Sequence, residues 1–234
     1  MTEYIPLHLD WPGCLNVRDL GGLPLTGGGT IRERVLVRSD CPSYLTDDGV
    51  VAATDYGLSR IIDLRRPDEI DRWPSRLGGL PAHLHLPVQE PDDPEEGPWV
   101  HLYAGLLDRR PELFARAVAA VADAPEGPVL VHCAAGKDRT GLVVALALTL
   151  VGADADALAD DYEITNERLA PRYAQLADEP DYDRPVGRLV PPTREVILGA
   201  LEHLRTRHGS VEAYLAQGGL TPGHVRALRT RLVG

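Results

Sequence analysis

Cysteine and long apolar runs are both scarce in this sequence. Three cysteines in 234 residues are an odd number, and without a signal-like start they predict free thiols in a reducing, cytoplasmic compartment. Export without a recognisable signal stays open. Cys14 and Cys41 are interpreted as incidental packing or surface thiols. No apolar run reaches the roughly 20 residues of a membrane-spanning helix, so we expect no transmembrane segment.

Positive charge is also scarce, and almost all of it is arginine. The 24 basic residues face 35 acidic ones, which gives a net charge of −11. This balance disfavours nucleic acid and anionic membrane surfaces as general partners, so any bound anion must be captured by a local cluster. Lys137 is the only lysine, and we interpret its retention as functional. A single surviving surface lysine of a GC-rich genome is the alternative.

The stretch from Val129 to Val151 organises the rest of the chain. Pro128 opens an apolar run typical of a strand buried on both faces. Gly136 marks a turn, and the apolar residues that follow predict a buried helix from about Arg139 to Gly152. A tight loop between a strand and a helix directs backbone N–H groups at one point, and the helix dipole adds positive charge. The stretch therefore predicts an anion-binding loop.

Two side chains on this loop indicate its chemistry. Cys133 follows the strand directly, and Arg139 lies at the mouth of the helix. Positive surroundings stabilise a thiolate, and a guanidinium fork binds two phosphate oxygens at once. Thr140 is predicted to donate its hydroxyl toward the Cys133 sulfur, while His132 orients the loop rather than acting as a base. A buried, inert cysteine is the alternative.

These loop residues, His132, Cys133, Gly136, Arg139 and Thr140, resemble the signature of the cysteine-dependent protein tyrosine phosphatase superfamily. The fuller string His-Cys-Ala-Ala-Gly-Lys-Asp-Arg-Thr-Gly is similar to a narrower branch, the bacterial tyrosine phosphatases with phosphoinositide activity. Three outlying motifs agree with that branch: Asn16 to Gly22, Val37 to Ser39, and Ile61 to Arg65.

The mechanism expected from this resemblance is two-step hydrolysis of a phosphomonoester. The Cys133 thiolate attacks phosphorus, Arg139 and the loop amides bind the oxygens, and water hydrolyses the phosphocysteine. The substrate would be a phosphotyrosine-bearing protein or a phosphoinositide, with dual specificity left open. No metal and no other cofactor is expected, because no ligand cluster appears at metal-site spacing. The predicted substrate-binding residues are Ala134, Ala135, Gly136, Lys137, Asp138, Arg139 and Thr140.

The resemblance also assigns roles to charged residues. Lys137 would face the substrate and favour multiply phosphorylated or lipid head groups, with Asp63, at a neighbouring strand end, as its salt-bridge partner. The general acid, worth typically 10²–10⁴-fold in rate, lies inside the loop in this branch, a position that Asp138 fills. Many superfamily members place it on an upstream loop instead, where Asp92 or Asp93 would serve. A structural ion pair is the alternative role of Asp138.

Other function classes remain beside a phosphatase. A non-catalytic module that binds phosphorylated ligands would carry the same loop. A sulfurtransferase or an arsenate reductase would also use a cysteine here, although sulfurtransferase loops are usually one residue shorter. Turnover of p-nitrophenyl phosphate without added metal separates these classes.

The alternation of strand and helix signals predicts an α/β fold, with a mainly parallel central sheet flanked by helices on both sides. We expect one phosphatase domain over residues 1–234. Several elements are predicted before the loop. They include an edge strand over Tyr4 to Leu9, a hairpin around Gly27 to Gly29, a capped helix from Thr46 to Tyr56, a buried strand over Arg60 to Leu64, a further strand over His83 to Val88, and an amphipathic helix from Pro111.

Extra helices are predicted after the loop helix. Two of them cover Asp154 to Asn166 and Glu167 to Ala177, followed by an irregular segment. Ser210 and Thr221 act as caps in a final set: Thr193 to Arg207, Ser210 to Gln217 and Thr221 to Val233. Residues 154–192 are interpreted as a helical lid over the site, with a passive helical layer as the alternative.

Overall fold

The computed structural model describes residues 4–93, 98–177 and 193–234, of which 99, 100, 176 and 177 are described by their backbone alone. The irregular segment predicted after Ala177 lies outside these ranges, as do residues 94–97 after Asp92 and Asp93. No helix within the described ranges is long and apolar enough to cross a lipid bilayer.

The described residues build one six-stranded sheet. Its strands are Leu7–His8 (β1), Arg18–Asp19 (β2), Leu36–Ser39 (β3), Arg60–Asp63 (β4), His83–His85 (β5) and Val129–His132 (β6). Their order is β1-β2-β3-β6-β4-β5. The strands from β3 to β5 in this order run parallel, whereas β1 and β2 add antiparallel at one edge. The predicted α/β class with a mainly parallel sheet is confirmed.

Helices account for much of the remaining described chain. They are Asp47–Asp55 (α1), Pro67–Arg72 (α2), Trp99–Arg109 (α3), Pro111–Ala122 (α4), Asp138–Leu150 (α5), Ala155–Ala177 (α6), Arg194–His208 (α7), Val211–Gln217 (α8) and Pro222–Leu232 (α9). The predicted caps of α1, α8 and α9 are confirmed, because Thr46, Ser210 and Thr221 each accept from a backbone N–H in the first turn.

Two helix predictions differ from the structure. Helix α3 was not predicted, although its buried residues Tyr103, Leu106 and Leu107 recur at helical spacing. The two helices predicted between Asp154 and Ala177 are one continuous helix, α6, with Pro171 inside it. Buried contacts along α6 therefore override the local break expected between its halves.

Both faces of the sheet are packed. On β6, Val129 and Val131 join the large core formed with helices α3 to α9, whereas Leu130 joins a smaller core on the α1 side. Each fully buried side chain of this size contributes about 1.5–3 kcal/mol relative to exposure. Helix α5 is buried nearly all round, as its unbroken apolar sequence predicted. The sheet and α5 thus form a rigid base for the loop between them.

Candidate active site

The loop between β6 and α5 places Cys133 directly after the strand, where the residue is 2% exposed. Gly136 adopts a φ of +65°, and a Cβ on it would lie 2.2 Å from the carbonyl oxygen of Ser39. Only glycine accommodates both this left-handed conformation and this close approach. The loop therefore turns back against the end of β3, as the predicted turn requires.

The carbonyl groups of the loop are held from outside it. The Asn16 Nδ2 atom donates to the carbonyl oxygens of Ala135 and Gly136 over 3.0 and 3.2 Å. Arg38 Nη2 also donates to the Gly136 carbonyl, over 2.7 Å. Because the C=O and N–H of a trans peptide point in opposite directions, the N–H groups of Gly136 and Lys137 point away from Asn16 and Arg38, as an anion-binding loop requires.

Asn16 and Arg38 belong to a buried ion cluster. Asp161 of α6 accepts from Arg18 Nε over 2.6 Å and from Arg38 Nη1 over 2.7 Å, and Arg18 Nη1 donates to Asn16 Oδ1 over 2.6 Å. Burial would raise the pKa of Asp161, but the two guanidinium groups outweigh it and lower that pKa. The ionised carboxylate thus links α6 to the loop, a link that sequence analysis missed because nothing local marks Asp161.

Arg139 lies in the first turn of α5 and forms a bidentate ion pair with Glu69 of α2. Its Nη2 donates to Oε1 over 2.8 Å, and its Nη1 donates to Oε2. Burial would raise the pKa of Glu69, but the hydrogen bond from Arg139 prevails and lowers it to about 2. Glu69 was not among the predicted site residues; its one signal was its place in the short acidic helix after β4.

Lys137 precedes α5 and is 1% exposed. Its Nζ lies 5.6 Å from the centroid of the Tyr173 ring on α6, within cation–π range. Burial lowers the pKa of Lys137, while the negative charges of Asp138 and Cys133 counteract that shift. The side chain is therefore packed between the loop and α6 rather than being a surviving surface lysine.

The predicted salt bridge between Asp63 and Lys137 is wrong. The Asp63 carboxylate instead accepts from Arg65, whose Nη2 lies 2.6 Å from Oδ2 and whose Nε lies 2.9 Å from Oδ1. Asp63 also faces the imidazole of His132, 3.7 Å away. Arg65 lies only two residues from Asp63, so its guanidinium reaches the carboxylate with little loss of conformational freedom. Through its contact with His132, Asp63 supports the strand that precedes the loop.

His132 is fully buried at the end of β6. Its Nδ1 lies 3.3 Å from the carbonyl oxygen of Cys133. Burial lowers the pKa of His132 to about 4, against the opposing charge of Asp63, so the ring is neutral at neutral pH. A buried, neutral ring held at the loop entrance fits the orienting role expected of it.

Asp138, the first residue of α5, accepts a hydrogen bond from the Tyr103 hydroxyl of α3 over 2.5 Å. The Tyr103 and Tyr162 hydroxyls lie 2.5 Å apart, so Tyr103 connects the Asp138 carboxylate to a tyrosine of α6. Burial raises the pKa of Tyr103 well above its usual range, and the charge of Asp138 adds to the shift. Tyr103 is therefore a fixed donor to Asp138, which sequence analysis missed.

The two alternative general acids, Asp92 and Asp93, form ion pairs with arginines at the end of α3. Asp93 is buried and accepts from Arg109 Nε over 3.0 Å and from Arg110 Nε over 3.1 Å. Burial would raise its pKa, but a hydrogen bond from the Glu90 N–H and the arginines lower it. Asp92 is exposed and pairs with Arg110 over 2.7 Å. Both carboxylates thus have structural partners.

Thr140 departs from its predicted contact. Its hydroxyl is buried and has no hydrogen-bond partner among the described residues, so it does not donate to the Cys133 sulfur as predicted.

The first part of the predicted lid is packed into the molecule. Leu158, Ala159 and Tyr162 of α6 are buried in the large core. Further along α6, Arg172 Nη2 donates to the Gly13 carbonyl over 2.8 Å. Residues 178–192 are not among those described, so movement of residues 154–192 as a lid stays a prediction.

One group of metal-type ligands occurs among the described residues, and it consists of Asp63, His83 and His132. These residues lie far apart in the sequence, so spacing alone did not reveal the cluster. No cluster was expected because none appears at local spacing, whereas the sheet brings together residues from three neighbouring strands.

A loop whose carbonyls are held from outside, with a cysteine and an arginine at its two ends, fits a hydrolase of phosphate esters. The family model described as "Tyrosine phosphatase family" matches residues 9–234. The chain therefore belongs to the tyrosine phosphatase family, and the resemblance seen in its sequence is confirmed.

Individual relatives agree with this family. The chain is 26% identical over 275 residues to the triple specificity protein phosphatase PtpB of Mycobacterium tuberculosis, with 95% of this chain and 98% of the relative covered. It is 27% identical over 236 residues to a tyrosine-protein phosphatase of Nostoc commune, with 89% and 78% covered. Among solved structures it is similar to TpbA of P. aeruginosa, at 20% identity and a TM-score of 0.39, with 79% of this chain and 86% of that chain covered.

Proposed function

We propose that this phosphatase hydrolyses phosphomonoesters through a phosphocysteine on Cys133. The observation that carries the proposal is the loop geometry: Asn16 and Arg38 hold the carbonyls of Ala135 and Gly136 from outside. The amides are then directed at the phosphate before it binds, and preorganised donors of this kind stabilise the transition state most effectively.

In the proposed first step, the Cys133 sulfur forms a bond to phosphorus as the bond to the leaving oxygen breaks. Arg139 stabilises the equatorial oxygens, because its guanidinium is already oriented by Glu69. Asp138 supplies the proton to the leaving oxygen and then accepts one from the water that hydrolyses the phosphocysteine. Two observations support this assignment. Asp138 lies next to the loop, whereas Asp92 and Asp93 are both paired with an arginine.

The proposed substrates are phosphotyrosine-bearing proteins, with activity on multiply phosphorylated head groups such as phosphoinositides. Support for the second class comes from Lys137, an ammonium at the loop beside the Tyr173 ring. The name of the mycobacterial relative, a triple specificity protein phosphatase, also supports a broad substrate range. Lys137→Met should reduce phosphoinositide hydrolysis more than phosphotyrosine hydrolysis, and equal losses on both would remove this role.

The experiment that tests the mechanism combines turnover and trapping. Wild-type protein should hydrolyse p-nitrophenyl phosphate without added metal, and rapid acid quenching should yield a phosphate on the Cys133 peptide by mass spectrometry. Cys133→Ser should lose turnover while keeping phosphate binding and folding, because a hydroxyl is a poor nucleophile at neutral pH. More than a few per cent residual activity would contradict a covalent mechanism.

A matched control uses a second thiol. Burial raises the pKa of the Cys14 thiol, so Cys14→Ser removes a sulfur that is protonated at neutral pH, and turnover should persist. Phosphate binding without turnover in the wild-type protein would favour a non-catalytic binding module. Turnover of thiosulfate or arsenate in place of phosphate esters would favour a sulfurtransferase or an arsenate reductase. A cytoplasmic location and a single domain over residues 1–234 stay predictions.

A further inference from the structure

Three adjacent parallel strands bring Asp63, His83 and His132 together near the end of the sheet that carries the loop. Asp63 and His132 are register partners on β4 and β6, and His83 lies on the adjacent strand β5. The Nε2 atoms of His83 and His132 lie 3.6 and 3.7 Å from the same carboxylate oxygen, Oδ2 of Asp63. The three ligand atoms all lie within 4.8 Å of one another.

Both imidazoles direct a buried nitrogen into this cluster. Neither Nε2 atom has a hydrogen-bond partner among the described residues. The Nδ1 atom of His132 faces the Cys133 carbonyl oxygen over 3.3 Å, and a carbonyl can only accept, which assigns the ring proton to Nδ1. With the proton on Nδ1, the Nε2 lone pair of His132 faces Oδ2 of Asp63, an arrangement of two acceptors that a cation between them would stabilise.

We propose that Asp63, His83 and His132 bind one divalent transition-metal ion, for which Zn²⁺ is the best match. Two imidazoles and one carboxylate form a ligand set that Zn²⁺ accepts, with bonds of about 2.0–2.2 Å. Tetrahedral geometry places such ligand atoms about 3.3–3.5 Å apart. The observed separations of 3.6 and 3.7 Å differ from that by only a few tenths of an ångström.

Neighbouring groups orient these ligands as the surroundings of a metal site do. Arg65 donates to Asp63 through its Nη2 over 2.6 Å, through its Nε over 2.9 Å and through its backbone N–H over 3.1 Å. Hydrogen-bonded carboxylates and imidazoles are typical of metal ligands. The guanidinium also lowers the net negative charge of the cluster, so we expect weaker binding than at a site without it. The His83 side chain is 15% exposed, which provides a route for the ion.

The ion would act as a structural clip rather than in catalysis. It would join the last residues of β4 and β6 to the first residue of β5, and it would fix the orientation of His132, the residue before the nucleophile. It would touch neither the substrate nor the reacting atoms, so His83 and Asp63 are positioning residues. Phosphatase turnover in a metal-free assay and binding of the ion are therefore separate measurements. A negative result in one of them does not decide the other.

The test uses the full chain without a histidine tag, carrying Cys133→Ser to remove a competing thiol. Metal-free protein is titrated with Zn²⁺ by calorimetry and with Co²⁺ by visible absorption. We expect one equivalent of ion to bind and to raise the melting temperature. His83→Ala in the same background should weaken binding at least tenfold. His203→Ala is the matched control, because His203 pairs with Asp108 over 2.8 Å outside the cluster, and it should bind like the parent.

Three results would overturn the proposal. These are the absence of stoichiometric binding by either ion, unchanged binding in the His83→Ala protein, and a cobalt spectrum with thiolate charge-transfer bands, which would place the ion on Cys14 or Cys41. If His83→Ala fails to fold, X-ray absorption of the zinc-loaded parent decides the question. It should show two imidazoles and oxygen in the first coordination sphere, and fewer imidazoles would reject the site.

Discussion

Glu69 holds Arg139 by both of its terminal nitrogens, with the Nη2–Oε1 contact at 2.8 Å. The pair joins α2 to the start of α5. Glu69 is buried, and the Arg139 side chain is 13% exposed. The guanidinium that would bind phosphate is therefore oriented before any ligand arrives. Catalytic groups held in this way need no reorganisation during the reaction.

Glu69→Gln should lower the free energy of unfolding of the ligand-free protein. Bound phosphate should then stabilise the variant more than it stabilises the wild type. Loss of one partner leaves the buried Arg139 charge without its counter-ion, which costs about 3 kcal/mol or more. Urea denaturation should show this loss, and inorganic phosphate should restore more stability to the variant than to the wild type. Asp68→Asn on the same helix is the control, since Asp68 is 62% exposed. Similar losses in both variants would contradict a special role for the Glu69 pair.

The same pair predicts a pH dependence. Arg139 lowers the pKa of Glu69 from 4.5 to about 2, so its stabilisation is fully present above about pH 4.5 and is lost as the pH falls through about 2. The shift corresponds to about 3 kcal/mol. The stability difference between wild type and Glu69→Gln should therefore narrow over this window. A difference that stays constant down to the acid limit would show that Glu69 does not carry the effect.

Arg139→Lys keeps the positive charge and loses the planar fork that matches two phosphate oxygens. Since Lys cannot bind Glu69 and phosphate together in the same geometry, we expect kcat/KM to fall by roughly 10²-fold or more. Steady-state kinetics with p-nitrophenyl phosphate measure the effect. Kinetics close to wild type would show that Arg139 does not contact the phosphate.

Asp138→Asn should lower kcat by about 10²–10⁴-fold for substrates with poor leaving groups and flatten the alkaline limb of the pH–rate profile. Substrates whose leaving groups need no proton should be affected less. Asp92→Asn and Asp93→Asn should leave both the rate and the profile unchanged once folding has been checked, because arginines at the end of α3 pair with both carboxylates. The opposite pattern would move the general acid to the upstream loop.

The loop could be predicted from sequence because its information is local. A buried strand, a glycine and an apolar helix lie within one stretch, and Cys133 and Arg139 lie at fixed positions in it. Backbone geometry alone then converts the spacing into an anion site. The sheet followed for a similar reason, since the apolar runs of β4 and β6 predict buried strands.

The partners of the loop could not be predicted, because they come from distant parts of the chain. Glu69, Tyr103 and Asp161 each lie on a different helix, and no local pattern distinguishes them from other polar residues. The Lys137–Asp63 prediction was wrong for a related reason. It relied on two strand ends being neighbours and could not foresee that Arg65 occupies the carboxylate.

The sequence does contain signals for one of the features that were not predicted, helix α3, whereas the continuity of helix α6 depends on distant contacts. Tyr103, Leu106 and Leu107 recur at helical spacing in α3, but the preceding loop rich in proline and acidic residues obscured them. In α6 the local signals suggested two helices, whereas the Thr165 hydroxyl accepts from Arg18 Nη2 over 3.1 Å, a buried contact that supports an unbroken helix. Tertiary packing thus decided what propensity left ambiguous.

The link from Asp161 through Arg38 to the Gly136 carbonyl has a practical meaning for shortened forms of the protein. A fragment ending after α5 would retain the nucleophile, the guanidinium and the central strands, yet it would bury Arg18 and Arg38 without their shared carboxylate. Grafting the loop onto another scaffold would meet the same difficulty. The smallest working catalytic unit therefore extends at least through Thr165, well past the last residue of the signature.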